Sequence, residues 1–501
     1  MNTVLKGLVA VAATAAMAIA GVAGAASATA AENNYDITVP STDTHTYSVY
    51  QVFTGDLSNG TLSNIKAGHN FNTNNTKNKS AAEAAAEIAQ NTSADTDNTA
   101  RLAAITPYVD LTATAFGEVS ARASLSAPAG YYLLKDKDAV TGDDAATLFI
   151  VQVNGPVTVN RKAAKPSFEK KVQDVNDSTG DKSVWQDSAD YDVNDDVPFQ
   201  LTATLPIDAD DFAAYKTYKL VFHDNQSAGL TFKPETVVVK YEGTTLNTES
   251  YTLDQDPTDG HTFDITITNA KSVNDANSSP IAVEAGGQFT VEYKSELNEN
   301  AVIGAAGNPN EASLEFSNNP NVGGEGNTGK TPTDKVIVFT YQLDINKTFN
   351  GGTPDDRDLP EFTLYKFDST TNDYITNLGK VNITKTADGK YTASFKRVDD
   401  GKYKLVETKT PAGFNTAADT TFEITADHDV TSDDPKLTSL KINSTDGNTT
   451  TGTVVADVVN QKGSNLPSTG GMGTVLLYVA GIAVFVLAGA TLVMALRRRN
   501  A

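Results

Sequence analysis

Between residues 31 and 462 the chain alternates apolar and polar positions over short runs, the two-residue period of half-buried β-strands. Few stretches carry a helical period. The run Tyr47-Ser48-Val49-Tyr50-Gln51-Val52-Phe53 predicts one strand, and Tyr131 to Leu134 with Thr147 to Val153 predicts a further pair. Turn-rich spacers such as Gly55 to Gly60 separate such runs, and the Ala-rich stretch Ala81 to Gln90 is the best helix candidate. The pattern predicts an all-β chain of sandwiches in a row, the first with a short helical insertion.

Length and composition divide this region into three segments, 31–160, 161–330 and 331–462, the second closed by the Gly/Asn-rich stretch Asn318 to Gly329. In a strand, a polar residue in register with apolar neighbours points into the core. In the third segment Tyr341, Leu343 and Ile345 put Lys347 inward, Tyr403 and Leu405 do the same for Glu407, and Val454, Ala456 and Val458 do so for Asn460. In the second, Phe168 and Val172 flank Lys170, Tyr218, Leu220 and Phe222 lead to Asp224, and Leu314 and Phe316 lead to Asn318. Parity favours Lys170 over Lys171 and Asn318 over Asn319, with Glu292 as the alternative acid.

Burying an unpaired ammonium or carboxylate costs several kcal/mol, so burial drives such groups toward neutrality. A neutral amine is a nucleophile, and a protonated carboxyl can polarise an amide carbonyl. Each set therefore suits attack of a Lys Nζ on an Asn side-chain carbonyl, with Glu407 or Asp224 shuttling protons as ammonia leaves. The product is an intramolecular isopeptide bond. The first segment has no equivalent set.

Both ends break the alternating pattern. Residues 1–30 carry Lys6, a long Ala/Val/Leu-rich stretch and small residues around Ala26 to Ala30, which reads as a secretory signal peptide. Residues 463–501 contain Leu466-Pro467-Ser468-Thr469-Gly470, then the uncharged span 475–496, then Arg497-Arg498-Arg499, a membrane span with a cationic stop. The chain has a net charge of −23, and losing both ends removes basic residues only, so it repels nucleic acid and anionic membranes. It has no cysteine, so any lock on the domains of this exported chain is something other than a disulfide.

The C-terminal pentapeptide, span and basic tail together resemble the cell-wall sorting signal of Gram-positive bacteria. The resemblance implies cleavage between Thr469 and Gly470 by a sortase, with Thr469 as acyl donor. Tyr403 to Phe414, containing Glu407, looks like the E-box of pilin domains of the collagen-adhesin B type (CnaB), which are immunoglobulin-like, and Leu359 to Lys366 resembles an early strand of the same domain. Tyr218 to Phe232 resembles the middle domain of major pilins in which the acid is an Asp. The family's acceptor motif ends in Tyr-Pro-Lys at the first domain junction. Here Val157-Thr158-Val159-Asn160-Arg161-Lys162 occupies that place without the Tyr-Pro, leaving Lys162 and Lys165 as competing acceptors.

The resemblance implies the backbone subunit of a covalently polymerised pilus used in adhesion. Its partners would be a pilin-class sortase, further copies of itself, minor pilins, peptidoglycan and a host ligand, and its location the cell wall. No cofactor and no metal are expected. Asp174 to Asp177 and Asp192 to Asp196 read as solvated acidic turns, since they lack the Gly that a Ca2+ loop needs. An enzyme is disfavoured because His45, His69, His223, His261 and His428 are scattered, with no hydrolase or phosphate-loop motif. A monomeric wall-anchored adhesin is the alternative, because sorting signal and domains would serve it equally.

Overall fold

The computed structural model describes residues 34–58, 61–92, 104–137, 148–159, 164–213, 215–319 and 327–463, and strands dominate them. In the first segment Thr46–Ser58 lies between Thr61–Ala67 and Gly130–Asp136, and the latter pairs onward with Leu148–Val153. A smaller sheet joins Asn34–Thr38 to Leu125–Pro128 and, in parallel, to Val157–Thr158. The predicted helix spans Ala81–Thr92. It starts where Ser80 and Glu83 cap each other: the Ser80 N–H donates to Glu83 Oε2 at 2.9 Å and the Glu83 N–H to Ser80 Oγ at 3.4 Å. Its Ala84, Ala85 and Ile88 enter a core with Phe53 and Tyr108.

The second region is a sandwich. One sheet runs Thr244–Thr245, Leu230–Tyr241, Gln288–Leu297, Asp196–Thr204, Ser167–Val172; the other contains Ser188–Asp190, Asp334–Phe339, Asn308–Ser317, Leu220–Gln226, Phe263–Ile267 and Thr252–Asp254. Phe199, Leu201 and Val291 from the first meet Phe222, Phe263 and Leu314 from the second, all fully buried. The third region sets Thr384–Lys385, Tyr391–Val398, Tyr341–Asn350 and Thr453–Gln461 against a six-stranded sheet containing Glu361–Asp368, Gly401–Lys409 and Thr420–His428. Thr453–Gln461 runs parallel to Tyr341–Asn350 along its whole length. First and last strands of this sandwich are therefore neighbours.

Two expectations need correcting. The sequence reading began the third segment at Thr331, yet Asp334–Phe339 pairs with Asn308–Ser317 and, in parallel, with Ser188–Asp190 of the second sandwich. Val336 and Val338 enter the second core while Ile337 and Phe339 pack in the third, so a run apolar on both faces hid the boundary.

The acidic loops are also not solvated turns throughout. Lys366 Nζ, 1% exposed, donates to Asp192 Oδ2 at 2.7 Å, Asp399 Oδ2 at 2.9 Å and Asp177 Oδ2 at 3.2 Å, tying the third sandwich to both loops of the second. Burial and the nearby charge of Asp190 push Asp400 up to about 8 and Asp174 up to about 7 in the same seam. Gly304 (φ +88°) and Gly452 (φ +66°) meet there so closely that a Cβ on Gly304 would lie 2.6 Å from the Gly452 nitrogen. Only glycine fits both the approach and the backbone. Among the described residues no helix is long and apolar enough to cross a membrane, and residues 1–30 and 464–501 lie outside them.

Candidate functional site

The third sandwich buries all three polar residues that its strand parity aims inward: Lys347 and Asn460 on adjacent parallel strands, Glu407 on the facing sheet. Along the parallel pair, Lys347 stands opposite Val458 and Phe349 opposite Asn460, so amine and carboxamide are diagonal neighbours on the same face. Asn460 Nδ2 donates to Glu407 Oε2 at 2.9 Å and to the Asn415 carbonyl at 2.6 Å, and the Ala417 N–H donates to the same Glu407 oxygen at 2.5 Å. Glu407 Oε1 and Asn460 Oδ1 are buried with no hydrogen-bond partner. Those are the two oxygens that a proton shuttle and a polarised carbonyl would use.

Lys347 Nζ donates to the carbonyls of Thr348 at 2.9 Å and Val458 at 3.3 Å and lies 4.5 Å from the Phe349 ring centre. Burial lowers its pKa to about 8, against a smaller opposing pull from Glu407. About a tenth is thus free amine at pH 7. This lysine is poised as a nucleophile.

The second sandwich holds a tighter constellation. Lys170 and Asp224 are fully buried, and Lys170 Nζ donates to Asp224 Oδ2 at 2.5 Å and to Tyr293 Oη at 2.8 Å. Tyr293 Oη donates to Asp224 Oδ2 at 2.6 Å and accepts from Asn310 Nδ2 at 2.9 Å. Asn310 is fully buried, and its Oδ1 has no hydrogen-bond partner. Burial lowers the Lys170 pKa, with Asp224 opposing, and burial followed by the Asp224 charge holds Tyr293 well above the usual phenol range.

Here the sequence reading placed Asn318, and the register removes it. Asp224 pairs with Ala312 and Leu220 with Phe316, so Asn318 lies six residues past the partner of Asp224, about 20 Å along an extended chain. Asn310, two residues from Ala312 on the other side, is the asparagine that meets the Lys170, Asp224 and Tyr293 cluster. Both asparagines share the parity of Ala312, Leu314 and Phe316, which is why alternation could not separate them. The alternative acid also falls away, because Glu292 faces outward and pairs with Lys240 at 2.7 Å. Tyr293, its neighbour, was missed. Its signal was the same parity rule applied to the strand Gln288–Leu297, where Phe289, Val291 and Tyr293 point inward.

Lys165 is exposed in the segment ahead of Pro166. Lys162 and the pentapeptide Leu466, Pro467, Ser468, Thr469 and Gly470 lie outside the described residues.

Residues 360–436 match the family model for the SpaA prealbumin-like fold domain, which includes the Glu407 strand. In sequence the chain is 28% identical over 280 residues to the trypsin-resistant surface T6 protein of Streptococcus pyogenes serotype M6. It is thus a sequence relative of that streptococcal surface protein. That match covers 53% of this chain and 46% of the T6 protein, so the chain spans about half the length of the curated relative it matches. Among solved structures, the T6 backbone pilin of S. pyogenes aligns at 20% identity and a TM-score of 0.49, covering 86% of this chain and 98% of that one. The full-length major pilin SpaD of Corynebacterium diphtheriae aligns at 18% identity and a TM-score of 0.45, covering 86% and 98%.

Proposed function

We propose that this chain is the backbone subunit of a covalently polymerised, wall-anchored pilus. The observation that carries the reading is the pair of buried Lys, acid and Asn constellations in successive sandwiches of a chain that carries a sorting-type pentapeptide at 466–470. In each, the neutral Lys amine attacks the Asn side-chain carbonyl carbon, and Asp224 or Glu407 carries the amine proton to the carboxamide nitrogen. The C–N bond of the carboxamide breaks, ammonia leaves, and a Lys170 to Asn310 or Lys347 to Asn460 amide remains. Such a bond locks a domain without cysteine.

Polymerisation then needs a donor and an acceptor. A pilin-class sortase breaks the Thr469 to Gly470 peptide bond, holds the Thr469 acyl group on its own cysteine, and passes it to Lys162 or Lys165 of the next subunit. The chain supplies substrate, nucleophile and fold; the transpeptidation belongs to the sortase. Minor pilins and peptidoglycan complete the fibre at its ends.

A denaturing immunoblot of the wall fraction tests the proposal, with a ladder of covalent multimers as the expected result. Substituting Lys162→Ala or Lys165→Ala identifies the acceptor by which one abolishes the ladder. A single band at monomer mass would instead establish a wall-anchored monomeric adhesin. In parallel, the intact mass of the purified chain should be lower by two ammonia molecules.

A further inference from the structure

The outer face of the sheet that holds Asp224 brings together two of the five histidines. His223 stands directly opposite Asp264 on the neighbouring strand, and the turn that leads into this strand supplies Asp259 and His261. The two imidazole rings lie 4.6 Å apart, centre to centre. We infer that His223 Nδ1, His261 Nδ1, Asp259 Oδ2 and Asp264 Oδ1 form a tetrahedral site for a divalent transition metal, with Zn2+ the best-fitting ion.

Three observations carry this. First, the four atoms lie close to the spacing of a coordination shell: His223 Nδ1 is hydrogen-bonded to Asp264 Oδ1 at 2.8 Å and lies 3.7 Å from Asp259 Oδ2, and His261 Nδ1 is 3.0 Å from Asp259 Oδ2 and 3.4 Å from Asp264 Oδ1. A tetrahedron with Zn–N and Zn–O bonds of about 2.0–2.1 Å has edges of about 3.4 Å. Second, His261 Nδ1 is sealed from solvent and makes no hydrogen bond, although a carboxylate oxygen stands 3.0 Å away. Close approach without hydrogen-bond alignment is what two ligands of one ion show. Third, the other ring nitrogen of His223 is buried without a hydrogen bond and has Glu315 Oε2 3.5 Å away, on the side from which an outer carboxylate would orient a ligating imidazole.

The donor set fixes the class of ion. Two carboxylates balance a divalent charge, and two imidazoles select Zn2+ and its neighbours over Ca2+ or Mg2+, which take oxygen ligands. Binding would pin the turn before Phe263, whose Thr262 N–H already donates to the Asp224 carbonyl at 2.7 Å. The metal would thus clamp the outside of the strand pair whose inner face carries the Lys170 constellation.

The test uses the full chain, purified in detergent and stripped with a chelator, then titrated at neutral pH with Zn2+ and, separately, Ca2+. Expected are one tightly held Zn2+ per chain, a rise in the unfolding temperature of the second sandwich with Zn2+ but not Ca2+, and the visible bands of tetrahedral Co2+ when cobalt replaces zinc. His261→Ala should weaken Zn2+ uptake by more than the roughly 10- to 100-fold that loss of an outer-shell partner costs, and so should Asp259→Asn, which alters only a half-exposed turn residue. His69→Ala, an exposed histidine of the first segment, should bind as the parent does. Absence of Zn2+ uptake by the parent chain, or equal uptake by both variants, overturns the site.

Discussion

The two lysine constellations carry the same three functional groups and solve their burial differently. In the third sandwich Lys347 rests on backbone carbonyls and an aromatic ring, while Glu407 is held by Asn460 and a loop N–H, so amine and acid are not paired with each other. In the second, the shorter Asp224 meets Lys170 directly, and Tyr293 joins amine, acid and carboxamide through one hydroxyl. The shorter acid makes an ion pair; the longer one reaches past the amine to the carboxamide. Removing the acid should therefore do different things in the two domains.

The largest contrast lies there. Asp224→Ala strands a fully buried ammonium, worth about 3–5 kcal/mol beyond the lost cross-link. Glu407→Ala should cost the cross-link and the two hydrogen bonds that its carboxylate accepts from Asn460 and Ala417, about 1–3 kcal/mol, without stranding an ammonium, because the Lys347 partners are carbonyls that remain. Thermal or denaturant unfolding that resolves the two sandwiches measures this, and equal losses would break the comparison. Next in size is the proposed cross-link, which would close more than a hundred residues covalently in either domain and be worth about 5 kcal/mol on a chain-entropy estimate. Asn310→Ala should leave the intact mass heavier by one ammonia than expected for the substituted, doubly cross-linked chain and destabilise the second sandwich by that amount. Asn318→Ala should retain both cross-links, and the opposite pattern would restore the parity-based assignment.

That pair of asparagines marks where the sequence stops being informative. Alternation reports which face a residue occupies, and it did so for Lys170, Asp224, Lys347, Glu407 and Asn460, each of which is buried. It does not report position along the strand. For the third sandwich this did no harm, since Asn460 is the only inward polar residue of Thr453–Gln461. The strand Asn308–Ser317 and its extension put Asn310 and Asn318 on one face, and only the pairing of Asp224 with Ala312 separates them. The same limit hid the histidine pair, because His223 and His261 meet through strand pairing across a turn, and it hid the domain boundary, where Val336 to Phe339 are buried on both faces. Fold class, by contrast, depends only on period. It was legible throughout.

A smaller effect sharpens the role of Tyr293. Tyr293→Phe keeps the ring, which stacks on Phe199 with centres 5.3 Å apart, and removes the oxygen shared by Lys170, Asp224 and Asn310. The cost should be about 1–3 kcal/mol in a form that cannot cross-link, such as one that also carries Asn310→Ala. In the parent background the bond should form more slowly, as read by mass against time during refolding. An unchanged rate would reduce Tyr293 to packing.

The smallest expected effect is a pH dependence, and it belongs to the third sandwich. In the proposed reaction only the unprotonated amine of Lys347 would attack, and its pKa is lowered by burial to about 8. For a chain recovered unfolded before cross-linking and refolded at fixed pH, formation of the Lys347 to Asn460 bond should accelerate about 10-fold per pH unit below 8 and level off above it. The same depressed pKa fixes the sign for stability where the bond is absent. Between pH 8 and the unfolded lysine value the unfolded chain binds more protons, so stability rises with pH across that window and is flat below it. The second sandwich is the reference, because Lys170 is sealed against Asp224 and its proton passes within the site rather than to solvent. Parallel pH profiles for the two bonds would mean that solvent reaches both amines alike, and that the difference between a paired and an unpaired lysine has no kinetic consequence.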